Sequence, residues 1–102
     1  VGVAADGHTR AHLRGDTHDS ACLRKAALGG ADLSDAALTA SLLWRTDLRG
    51  ADLSGADLTD AFLWGADLTD ADLTGTILTD ADFEDADLTG TDLDQAILWA
   101  SQ

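Results

Sequence analysis

Residues 51–75 read ADLSG ADLTD AFLWG ADLTD ADLTG: a small residue first, usually aspartate second, leucine third, and mostly polar or small residues in the last two places. The same beat runs outward in both directions, from Ala21 to Ala100. Every residue number ending in 3 or 8, from Leu23 to Leu98, falls in the leucine register, and its sixteen places hold fifteen leucines and Phe83. Two places earlier the residue is always Ala, Ser or Thr. A period of five fits neither the two-residue repeat of a strand nor the 3.6-residue repeat of a helix, so the chain must turn every five residues.

The length of 102 residues gives one domain, and a globule of that size has a small core. A repeat array relaxes this limit, because each unit buries its apolar side chain against its neighbours. Proline is absent, which suits a chain whose backbone donors are all needed between coils. No run of about 18 apolar residues is present to span a membrane, and residues 1–20 are too polar for a signal peptide. The expectation is a soluble, cytoplasmic protein. The chain lacks methionine and begins Val-Gly-Val, as a processed chain or a segment of a longer one does. Cys22 is the only cysteine, so neither an internal disulfide nor a thiolate metal cluster can form.

Residues 1–20 follow the register poorly. Asp6 and Asp16 stand at small-residue places and His8 and His18 at leucine places, where burial without partners is costly. This segment reads as an irregular or capping stretch, and residues 21–100 as the repeat domain. The spacing of His8, His12 and His18 matches no zinc pattern, so they read as surface or cap histidines.

The units Ala51–Gly55, Ala56–Asp60, Ala71–Gly75 and Ala86–Gly90 resemble those of the pentapeptide repeat family, over about four fifths of the chain. The resemblance implies an all-β fold, a right-handed quadrilateral β-helix in which four pentapeptides make one square coil. The leucine and the small residue two before it would point inward. Sixteen registers give about four coils, and the inter-strand spacing of about 4.8 Å makes a rod of roughly 20 Å.

With four units per coil, residues twenty apart stack, and the sequence becomes a surface map. One face carries Asp32, Asp52, Asp72 and Asp92, and another carries Asp47, Asp67 and Asp87. Stacked like charges repel by up to about 1 kcal/mol each unless salt or local hydrogen bonds offset them. Aspartate at this place can also accept backbone donors at the corners, as Asx residues do in turns. Residues 1–50 hold six acids and six bases, whereas residues 51–102 hold thirteen acids and no base, so the net charge of −13 lies in the second half.

On a third face Leu42 and Phe62 replace aspartate, and Trp44 and Trp64 follow the core leucines. These four apolar side chains should project outward as a contact patch rimmed by Arg45, unless the N-terminal segment covers them. A fourth face carries Ile77, Ile97 and Trp99 near the C-terminal end, where an open coil edge invites a C-terminal homodimer.

No nucleophile stands with a positioned base, and the carboxylates form ladders on a convex surface and not a pair in a cleft, so no enzymatic activity, cofactor or metal site is expected. The leading reading is a non-catalytic protein–protein interaction scaffold with a protein partner, without direct binding of nucleic acid or membrane. The alternative comes from the resemblance. Certain pentapeptide repeat proteins imitate duplex DNA and bind type II topoisomerases, protecting DNA gyrase from quinolones or inhibiting it. B-DNA carries one charge per about 1.7 Å, so a rod of about 20 Å would match roughly twelve phosphates. A third idea, ice binding by the Thr39, Thr59 and Thr79 column, is spoiled by the flanking aspartates and Trp99.

Overall fold

In a computed structural model, residues 23–97 are described. Residues 1–20, expected above to form an irregular or capping stretch and holding the three histidines, lie outside them, as do Cys22, Leu98 and Trp99. Parallel bridges join residues twenty apart: Ala27 to Asp47, Asp47 to Asp67, Asp67 to Asp87, and likewise Ala37 to Asp57, Asp57 to Ile77 and Ile77 to Ile97. Most sides of the coil are held by three backbone bonds. Leu48 N–H, for example, donates to Asp67 (2.8 Å), Gly50 N–H to Thr69 (2.8 Å), and Asp47 N–H donates in the other direction to Ala26 (3.0 Å). The ladder satisfies the polar backbone that an apolar interior cannot.

The corners explain the five-residue beat. The amide two residues before each core side chain donates back to the carbonyl of the preceding core residue, as Ala66 does to Leu63 at 2.9 Å. Between them, the last residue of every pentapeptide from Lys25 to Gly90 has positive φ. Positive φ at the third of four turn residues is the mark of a type II turn, which favours Gly, Asn or Asp there. Glycine holds six of these places and aspartate five; Lys25, Ala40 and Arg45 hold the rest.

Leu23 through Leu78 line the interior with exposures of 0–3%, packed against Ala31, Ala36, Ala51, Ala56, Ala61, Ala66 and Ala71. The inward threonines keep their hydroxyls satisfied: Thr46 Oγ1 donates to the Leu23 carbonyl (2.7 Å), and Thr76 Oγ1 to that of Leu53 (2.6 Å). Phe83, Leu88 and Leu93 pack against this core but are only partly buried. Each has a coil on one side only among the described residues.

The register loosens at the same end. Gly75 N–H donates to Gln95 and not to residue 94, breaking the pattern set by Gly55 to Thr74. No bridge joins Asp72 to Asp92, so the expected column of four stacked aspartates is paired only through Asp32, Asp52 and Asp72.

Candidate functional site

The acidic columns have a structural task. All nine aspartates that precede a core residue accept the N–H two residues on, at 2.9–3.1 Å, each closing an Asx turn into the corner. Where Ser or Thr follows, its hydroxyl adds a second bond, as from Thr69 to Asp67 (2.5 Å) and Thr89 to Asp87 (2.6 Å). These bonds stabilise the ionised form. The Thr74 and Thr89 hydroxyls and amides hold the Asp72 and Asp87 carboxyls below the usual range, and the Arg49 side chain does the same for Asp47. Arg49 also sits between stacked charges, 2.8 Å from Asp47 and 3.9 Å from Asp67. Local hydrogen bonds and one bridging cation therefore offset the repulsion expected of the columns.

The face around Leu43, Leu63 and Phe83 departs from this scheme. Bridges from Leu42 to Phe62 and from Phe62 to Asp82 fix one column. Beside it, Lys25 N–H donates to Trp44 (2.9 Å), Arg45 N–H to Trp64 (2.8 Å) and Gly65 N–H to Glu84 (2.9 Å). That ladder stacks Arg24, Trp44, Trp64 and Glu84 in a second column. The Trp44 ring lies 6.4 Å from Phe62 at 79° and 6.5 Å from Trp64 at 89°, both edge-to-face. Contacts of this geometry contribute about 0.5–1.5 kcal/mol beyond area burial.

The patch is less uniformly outward than its sequence suggests: Phe62 and Trp64 are 40% and 36% exposed, while Leu42 and Trp44 are half-buried. Two cations cap the rings. The Arg24 guanidinium lies 5.5 Å from the Trp44 ring and that of Arg45 5.2 Å from Trp64. Gly65 leaves room for the latter, since a Cβ there would come within 3.2 Å of Arg45 Cγ. A hollow of about 420 Å³ lies among Arg24, Lys25, Trp44, Arg45 and Trp64, and a second of about 310 Å³ among Trp44, Phe62, Trp64, Asp82 and Glu84.

Sequence reading found the four apolar residues and the Arg45 rim. It missed Arg24 and Lys25 at one end and Asp82 and Glu84 at the other, although the twenty-residue spacing from Trp44 and Trp64 was a signal for Arg24 and Glu84. Ile77 and Ile97 are bridged, with Ile97 47% exposed, while Trp99 lies outside the described residues. Among the described residues, no three His, Cys, Asp or Glu side chains are arranged to hold a metal ion. No helix among them is long and apolar enough to cross a membrane.

The coil geometry and the sequence agree with known proteins. The profile of the pentapeptide repeats matches residues 31–70 and 66–98, with eight copies, and the chain belongs to that family. A pentapeptide repeat protein from the thylakoid lumen of Arabidopsis thaliana superposes with a TM-score of 0.69 at 30% identity, over 87% of this chain and 58% of that one. A second, from the cyanobacterium Nostoc PCC 7120, gives 0.51 at 38% identity, over 85% and 68%. A third, from the cyanobacterium Cyanothece 51142, gives 0.48 at 35% identity, over 87% and 64%. The chain thus spans less than two thirds of the Arabidopsis and Cyanothece proteins. No curated protein sequence matches it.

Proposed function

We propose that the chain is a non-catalytic protein–protein interaction scaffold of about four coils, and that the face bearing Leu42, Trp44, Phe62 and Trp64 is its contact surface. The observation that carries this reading is the ring cluster itself. Elsewhere the place before the core residue mostly serves the turn through aspartate; here it holds Leu42 and Phe62, which close no Asx turn. Partly exposed indole rings flanked by arginine are the side chains that dominate interface energetics. Replacing both Trp44 and Trp64 by alanine leaves every backbone ladder bond in place. The double variant should keep the wild-type circular dichroism and lose at least about tenfold in affinity for a co-purified protein partner. Unchanged retention of that partner would remove the assignment.

A second reading, DNA mimicry toward DNA gyrase or another type II topoisomerase, is favoured by one observation. All thirteen acids of the second half lie within residues 51–97, without a base. Seven of them close Asx turns, which use one carboxylate oxygen each and leave the charge in place. In a supercoiling assay, this reading requires inhibition or quinolone protection that disappears when Asp52, Asp72 and Asp92 become asparagine; an inert protein would exclude it.

A further inference from the structure

We propose that the aromatic face binds a second copy of the chain, turned end for end, in a two-fold symmetric pair. This rests on the contact-surface reading above and adds the identity of the partner. Along the axis of the coil, one column runs Arg24, Trp44, Trp64, Glu84; the corner column beside it runs Lys25, Arg45, Gly65, Asp85; and on the other side lie Leu42, Phe62 and Asp82. Cations occupy one end, rings the middle and carboxylates the other end. Arg24, Lys25 and Arg45 lie toward one end and Asp82, Glu84 and Asp85 toward the other, and all six are exposed.

Such a surface is complementary to its own reverse. A two-fold axis lying in the contact plane, across the columns, sets each column against its own copy running backwards. Arg24 of one copy then comes opposite Glu84 of the other, Lys25 opposite Asp85, Trp44 opposite Trp64 and Leu42 opposite Phe62. Arg45 comes opposite Gly65, the corner with no side chain. Parallel stacking of the same faces would instead set Arg24 against Arg24 and Glu84 against Glu84, which like-charge repulsion disfavours.

The face is small. About four coils at about 4.8 Å, and one side of a coil in width, cover roughly 300 Å² per copy, against about 800 Å² in a standard interface. The net charge of −13 on each copy also opposes approach. The pair is therefore of the weak, transient kind.

Sedimentation equilibrium at about 150 mM salt tests this, where charge repulsion beyond about 8 Å is screened. Three samples are needed: wild type, a cation-reversed variant (R24E, K25E, R45E) and an acid-reversed variant (D82K, E84K, D85K). Wild type should self-associate, each variant alone should be at least about tenfold weaker, and their equimolar mixture should recover the wild-type affinity or exceed it. The single swaps Arg24→Glu and Glu84→Arg, at exposed turn positions, repeat the comparison with less perturbation of the fold. Wild type that stays monomeric up to about 1 mM, or a mixture that fails to associate, would overturn the proposal. Self-association indifferent to the swaps would also overturn it and place the contact elsewhere, at the C-terminal coil for example. If the chain is monomeric but the Trp44→Ala, Trp64→Ala double variant loses a different, identified partner, the contact surface stands and only the second copy falls.

Discussion

Fourteen successive corner residues, from Lys25 to Gly90, hold φ between 55° and 73°, a region that costs a residue with a Cβ about 1–2 kcal/mol. Glycine avoids the cost, and aspartate tolerates it better than most residues because its short polar side chain bonds locally. Ala40 has neither advantage. Ala40→Gly should therefore raise the stability by up to about 1 kcal/mol in urea denaturation. Gly55→Ala should do the reverse. Its new Cβ would fall on the Asp35 carboxylate while φ stays at 72°, and a loss of about 1–2 kcal/mol or more is expected. Shifts of the same sign in the two variants would show that corner strain does not govern these positions. Lys25 and Arg45, the other two exceptions, both stand on the aromatic face, so the backbone cost falls where the proposed contact needs a cation.

At the scale of one pentapeptide, three devices cooperate: an inward leucine, a small residue at the turn and an aspartate that accepts the corner amide. The leucine should dominate. Leu63 is wholly buried between two coils, and Leu63→Ala should cost about 2–5 kcal/mol. Leu93 is partly exposed, and Leu93→Ala should cost less than half as much in the same denaturation experiment; equal losses would mean that the last described coil is as well packed as the middle. Much of this was legible beforehand, because the small-x-leucine spacing can only be satisfied by a chain that turns every five residues. The Asx role of aspartate followed from its chemistry. The loosening at Asp92 and Gln95 did not, since Asp92 repeats the consensus. What differs there is tertiary: among the described residues, no outer coil packs against it to hold the register.

Over the whole molecule, the twenty-residue spacing converts a monotonous sequence into faces of different chemistry. Two faces stack aspartates, and one sets cations, rings and carboxylates in order along the axis. Sequence alone placed Trp44 and Trp64 together, but the arginines stacked on their rings depend on side-chain direction across coils, which spacing does not specify. Residues one coil apart assemble this face. Through-space proton contacts measured by nuclear magnetic resonance test it most directly. Cross-peaks are expected from the Trp44 ring to those of Phe62 and Trp64, whose centres lie 6.4 and 6.5 Å away. Absence of both, with Trp44 contacting residues about fifteen or twenty-five places along instead, would contradict it.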